Sequence, residues 1–327
     1  MELRLEAKGK GRAAPAGSAE RFGYEAKSAA MKLVVNSAYG YLAAGGELTR
    51  FADVHAANEV TRRGRETLQL MCNALAARGV TLLEADTDGV YFAVPEGWSE
   101  TDERRVVSEV AGLLPPLVHL EFEGRYAAML SHEPKNYALL GYDGEISLKG
   151  VAFRSSRAEP FGEAFLRRAI ARLLRCDVAG VREAYLATLD ALRRRELPSF
   201  EVSSRVRLTK SPMEYKFTRE ARRELAYEAL LAIGRTDWSI GDKVRVYRTV
   251  QAGGGVIDED APDRRDYDVA HYERVLRDTF AARLERAFEP VDYEAVFASP
   301  DQMLLFAPAV EEIRTVLTNA GSMPEVH

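Results

Sequence analysis

The hydrophobic pattern changes period twice along the chain. Apolar positions recur at helical spacing from about residue 21 to 42 and again from about 56 to 78, where Leu68, Met71, Cys72 and Leu75 form the stripe and Gly79 supplies a C-terminal stop. Runs rich in β-branched and aromatic residues follow near 80–94, 118–130, 136–142 and 145–153, predicting an antiparallel sheet with a helix near 101–114 crossing it. Beyond Pro160 the helical period returns, with Phe161, Phe165, Ala169 and Leu173 on one face and Val178, Val181, Tyr185, Leu189 and Leu192 on the next. The fold class is α+β, an antiparallel sheet between an N-terminal helical pair and a mainly helical C-terminal half. Residues 1–20, with the Gly/Pro/Ser-rich basic run Lys8 to Ser18, read as disordered or linker-like.

Two segments carry candidate chemistry. Between the strand-like runs of 80–94 lies Asp86-Thr87-Asp88-Gly89, in which the turn dipeptide Asp88-Gly89 would lift two carboxylates to a hairpin tip. Hard divalent cations such as Mg²⁺ take oxygen ligands from one or two carboxylates and fill the remaining positions with phosphate and water. Asp and Gly are also ordinary turn residues, so the tip alone does not decide. About fifty residues upstream, Lys32, Asn36 and Tyr39 fall at i, i+4 and i+7 of the first helix. Ammonium, amide and phenol thus share one face, beside a stripe of Met31, Val35, Ala38 and Leu42. A lysine there offers a point charge to a polyphosphate, and Gly40 leaves room for close approach of a base pair.

Together these segments resemble the family B DNA polymerases, whose fingers helix carries Lys-x-x-x-Asn-Ser-x-Tyr-Gly and whose palm hairpin carries Asp-Thr-Asp-Ser in the same order. Gly89 stands where that hairpin has Ser. Lys135-Asn136-Tyr137 and Lys149-Gly150 are similar to the family's Lys-Lys-Arg-Tyr element and Lys-Gly strand, with Pro134 and Asn136 replacing the first Lys and the Arg. The resemblance implies an antiparallel palm sheet with fingers helices and a mainly helical thumb, divided as 21–60 remaining fingers, 61–160 palm and 161–327 thumb. It implies template-directed transfer of deoxynucleotides (dNTPs) onto a primer, with two Mg²⁺ ions in the complete site. Asp88 and Asp86 would be the catalytic metal ligands, Lys32, Asn36, Tyr39 and Gly40 the nucleotide-binding residues. Lys135, Tyr137 and Lys149 would hold the primer end of a primer-template DNA, and Arg205, Arg207 and Lys210 the duplex. The family's other metal-binding aspartate lies on an Asp-x-x-Ser-Leu-Tyr-Pro strand far ahead of the fingers helix, whereas only Met1 to Met31 precede Lys32 here. The expectation is therefore a polymerase fragment or split subunit, inactive alone and completed by a second polypeptide. The alternative is a non-catalytic primer-template binding module or assembly subunit.

Composition narrows this picture. The 327 residues are 46% hydrophobic and 29% charged, enough to bury a core of two or three domains. No run has the length of a membrane span and no signal-like segment opens the chain, which predicts a cytoplasmic location without a membrane partner. The two cysteines, Cys72 and Cys176, have no metal-ligand or disulfide spacing. Net charge is −5 but uneven: Glu145 to Arg223 holds 18 basic against 10 acidic residues, and Gln251 to Asp301 holds 6 against 13. A basic stretch of that kind suits a phosphate backbone despite the acidic total. Within it Arg205 and Arg207 alternate with apolar residues at strand period and project from one face, whereas Arg167, Arg168, Arg172 and Arg193 to Arg195 read as solvated helix faces.

Overall fold

The computed structural model describes residues 2–44, 49–86, 89–116, 118–153, 155, 157–251, 253–258, 260–301 and 308–316. The chain forms two compact units, Met1–Val90 with Glu100–Glu121, and Tyr91–Ser99 with Phe122–His327, so residues 61–160 contribute to both. The architecture is α+β: helices with three small antiparallel sheets.

In the first unit, α1 (Glu2–Ala13) lies against α2 (Ala19–Ala43), and α3 (Val54–Ala76) packs on α4 (Glu100–Ala111). The segment read as linker-like is thus helical over Glu2–Ala13. Two glycines there cost about 1 kcal/mol each in helix propensity, but the chain gains contacts that composition conceals. Lys10 pairs with Glu6 at i,i+4 (2.6 Å), Lys8 and Arg12 both reach Glu121 (2.9 and 3.0 Å), and Ala7 and Gly11 are buried. The Ser18 side chain then caps α2 by accepting from the Arg21 amide, and Asp53 caps α3 by accepting from Ala56. Met71, Ala74 and Leu75 of α3 and Val106, Val107 and Val110 of α4 make the core of this unit, which Arg78 closes with an ion pair to Glu109 (2.9 Å). Strands β1 (Thr81–Asp86) and β2 (Gly89–Ala93) are the two members of a small sheet.

The second unit holds the large core. Strands β3 (Ala128–Glu133), β4 (Asn136–Leu140) and β5 (Ile146–Lys149) form an antiparallel sheet in that order. The strand expected over 118–130 forms only at its end. Alternation puts Leu130, Ala138, Leu140, Ile146 and Leu148 on the face that joins the apolar cluster of α5 (Pro160–Leu173) and α6 (Val178–Arg193). Seven of the fourteen residues of α5 are buried, including Phe165, Leu166, Ala169, Ile170 and Leu173. A second cluster lies under β6 (Ser204–Arg207), β7 (Lys243–Arg248) and β8 (Gly254–Val256), covered by α7 (Pro212–Thr218) and α8 (Leu225–Ala232) and centred on Tyr215, Tyr227 and Trp238. The chain then runs through α9 (Val269–Arg274), a π-helical turn (Val275–Phe280), a 3₁₀ stretch (Ala281–Ala287) and α10 (Pro290–Val296), returning Tyr272, Leu276, Phe280, Leu284 and Phe297 to the main core.

Candidate functional site

On α2, Lys32, Asn36, Tyr39 and Gly40 are all solvent-exposed, and the helix buries no residue at all. The i, i+4, i+7 spacing keeps the first three on one face. Lys32 has no ion-pair partner among the described residues, so its ammonium is available to an anion. A Cβ at Gly40 would meet nothing within 4 Å. Flanking them, Leu33 and Val34 are each 69% exposed.

Asp86 is the half-buried last residue of β1, and Gly89 opens β2. Asp88 lies outside the described residues. Among the described residues no three His, Cys, Asp or Glu side chains gather as a metal site. The fit to a hard cation therefore rests on the oxygen donor Asp86 at the strand end. A carboxylate on fixed backbone has the right chemistry for Mg²⁺ but cannot hold it alone.

The second unit brings three of the expected residues together. Tyr137 and Lys149 are directly paired across β4 and β5, which puts phenol and ammonium on the same face of the sheet. Lys135 occupies the β3–β4 turn with φ 67°, in the left-handed region. Gly150 locks that turn to β5: at φ +86°, a Cβ there would sit 2.3 Å from the Lys135 carbonyl oxygen and 2.2 Å from Asn136 Oδ1. Asn136 has its own work, accepting the Ala152 amide (2.8 Å) and donating to the Pro134 carbonyl (3.2 Å). It replaces the arginine of the resembled element with a local brace.

Two further aromatics join this site. The Tyr91 ring on β2 lies tilted against Tyr137 at 5.0 Å and Tyr126 at 6.3 Å, and the Tyr91 and Tyr137 hydroxyls are hydrogen-bonded at 3.2 Å. Burial, with that hydrogen bond second, pushes the Tyr91 phenol up from its ordinary value, so it stays protonated well into the alkaline range. The only sequence signal for Tyr91 was its place two residues past the hairpin turn.

On the third sheet the register sets Arg205 opposite Arg245 and Arg207 opposite Lys243. All four alternate with Val206, Val244 and Val246, whose side chains enter the buried cluster, so the cations share the other face. Like charges directly opposed are unfavourable without a counter-ion. Arg245 is committed: its guanidinium lies 4.3 Å from the Phe200 ring centroid and donates to the Ser203 carbonyl (3.1 Å). Arg207 and Lys243 are exposed and have no carboxylate partner among the described residues. Lys243 is a candidate contact the strand period alone did not reveal, because its pairing partner is 36 positions away.

Lys210 stands differently. Its ammonium is held by Glu224 (2.7 Å) and Thr218 (3.3 Å), its amide donates to the Tyr227 hydroxyl (2.9 Å), and its carbonyl accepts from Trp238 Nε1 (2.9 Å). Around it, Tyr215 stacks on Tyr227 at 4.4 Å and donates to Glu228 (2.7 Å), which also pairs with Arg219 (2.7 Å). Arg219 first, and Tyr215 after it, lower the Glu228 carboxyl to about 2. This lattice makes Lys210 the knot of the α7–α8 pair.

Comparison with known proteins gives the family and the fold. The sequence matches the profile of DNA polymerase family B over residues 2–291. The chain is 34% identical over 125 residues to DNA polymerase 1 of Pyrococcus abyssi (strain GE5 / Orsay), covering 37% of this chain and 16% of that protein. It is 27% identical over 259 residues to the DNA polymerase of Thermococcus sp. (strain 9oN-7), covering 74% and 32% respectively. The chain thus spans a third or less of the length of these relatives. The solved structure of the family B DNA polymerase from the hyperthermophilic archaeon Pyrobaculum calidifontis superposes with a TM-score of 0.62 at 20% identity, over 93% of this chain and 37% of that one, which establishes a shared fold. No helix among the described residues is long and apolar enough to cross a membrane. With the profile matched across most of its length, the chain belongs to DNA polymerase family B.

Proposed function

We propose that this chain carries part of a DNA polymerase active site that adds deoxynucleotides to a primer on a DNA template. The observation that carries the reading is the Tyr137–Lys149 pair, braced by Gly150 against the Lys135 turn and hydrogen-bonded through Tyr91 to the strand that follows the carboxylate hairpin. A platform of phenols and ammonium groups held on a braced sheet is what gripping a primer end requires.

In this reading Lys32 and Asn36 hold the triphosphate of the incoming nucleotide, and Tyr39 backs its base, with Gly40 leaving room for the pair. Lys135, Tyr137 and Lys149 fix the primer strand. Arg205 and Arg207, with Lys243, contact phosphates of the duplex. Lys210 would serve the DNA indirectly, by fixing the α7–α8 pair beneath the cationic sheet. Asp88 and Asp86 would hold Mg²⁺; two such ions neutralise the attacking and leaving oxygens of a nucleotidyl transfer. In this reading a two-metal centre also needs a second carboxylate, which the resembled family carries on an Asp-x-x-Ser-Leu-Tyr-Pro strand.

The test is primer extension with the 327-residue chain, labelled primer-template, Mg²⁺ and dNTPs, alongside Asp88→Asn, repeated after adding the missing palm strand. Extension that appears only with the added strand and falls at least a thousandfold in Asp88→Asn is expected. Unchanged extension in Asp88→Asn would overturn the assignment of the hairpin. Primer-template binding with no extension under either condition would favour the non-catalytic binding module.

A further inference from the structure

A groove of about 480 Å³ runs along β5, bordered by Tyr126, Asp143, Glu145, Ser147, Lys149 and Arg167 among others. In the order β3-β4-β5 the strand is an edge, with no further strand beside it among the described residues. Charge divides the groove lengthwise. Asp143 and Glu145 stand at the β4–β5 turn, where Asp143 Oδ1 accepts the Glu145 amide (3.0 Å). Lys149 stands at the other end of the strand, about 13 Å away at the rise of an extended chain.

Helix α5 explains why Arg167 joins Lys149. Arg175, just past the helix, donates to the Gly144 carbonyl in the turn (3.2 Å) and to the Ala171 carbonyl (2.7 Å), pinning one end of the helix to the acidic end of the groove. Arg167 is eight residues earlier, about 12 Å back at the rise of an α-helix. Arg167 borders the same groove as Ser147 and Lys149. The neighbouring arginines are committed elsewhere: Arg168 donates to Thr188 (2.9 Å) and Arg172 pairs with Asp177 (3.0 Å). Arg167 and Lys149 have no such partner among the described residues.

We propose that Arg167 and Lys149 form a phosphate subsite, and that Arg167, on a helix whose arginines otherwise serve the fold, takes a backbone phosphate of the strand held at Lys135 and Tyr137. Ser147 and the Tyr126 hydroxyl add donors along the groove. This rests on the reading of the chain as a primer-binding polymerase segment. The same chemistry would accept a free polyphosphate, and the experiment separates the two sources.

Primer-template binding by the 327-residue chain is measured by fluorescence anisotropy across a salt series for wild type, Arg167→Ala, Lys149→Ala and the charge-matched Arg172→Ala, with circular dichroism to confirm folding. Inorganic tripolyphosphate binding is measured calorimetrically on the same proteins. Arg167→Ala is expected to weaken DNA binding roughly tenfold and to reduce the slope of log affinity against log salt by about 0.9, as Lys149→Ala does, while Arg172→Ala keeps the wild-type slope. A wild-type slope in Arg167→Ala would overturn the proposal. If the wild type itself fails to bind DNA, the polymerase reading fails with it. Tripolyphosphate binding that still depends on Arg167 would then assign the subsite to a free phosphate compound, and no binding of either would remove it.

Discussion

Helices α2 and α5 show two ways in which one chain makes a helix. The 25 residues of α2 bury nothing, whereas the 14 of α5 bury seven. The first is sustained from within, by the Ser18 cap, the Arg21–Glu25 pair at i,i+4 (2.8 Å) and the neighbouring α1. The second is sustained from outside, by a core in which Phe165, Ala169, Ile170 and Leu173 are each 0% exposed. A fully buried side chain of this kind contributes about 1.5–3 kcal/mol, an upper estimate against an extended reference. The candidate nucleotide-binding face sits on the helix with least packing, and the candidate primer platform sits on the sheet with most.

The contrast can be broken hardest at Phe165. Phe165→Ala is expected to cost about 3–5 kcal/mol in denaturant unfolding of the second unit, while Leu33→Ser on α2 stays within about 0.5 kcal/mol. Equal costs would mean that α2 is packed as tightly as α5. Next in size is the cap: Ser18→Ala should raise amide exchange throughout α2 by the equivalent of about 1 kcal/mol and leave α5 protected. Smallest is salt. Half-molar NaCl should speed exchange in α2 by a few tenths of a kcal/mol through the exposed Arg21–Glu25 pair, and α5 should not respond.

Legibility in the sequence followed the range of the forces. Helices α2 to α6 and the hairpins emerged from periodicity and caps, because those signals act over three or four residues. The α1 helix was obscured because its support is Glu121, more than a hundred positions away. The partnering of Lys210 with Glu224 and the opposition of Arg207 and Lys243 were hidden for the same reason. Motif spacing pointed to Tyr137 and Lys149 as candidates, and the sheet register sets them side by side on one face. Tyr91 and Arg167 carry no motif, and only the packing of β2 and α5 gives them a place. The relation of Lys32 to the hairpin carboxylates depends on Asp88, outside the described residues.

The paired phenols of Tyr91 and Tyr137 hold two hydroxyl hydrogens between them and spend one on their mutual bond. One hydrogen is therefore left over, and either ring can carry it. Burial keeps the Tyr91 hydrogen in place until the pH is far above that of a free phenol, and the stability Tyr91 contributes is present below the ordinary tyrosine range and lost only as pH rises past it. In the proposed role, the pair would offer a sugar or phosphate oxygen a single spare hydrogen whose source can swap between the two rings. A strand end that shifts by a fraction of an ångström can then be followed by reorienting one proton, with the backbone left where Gly150 fixes it.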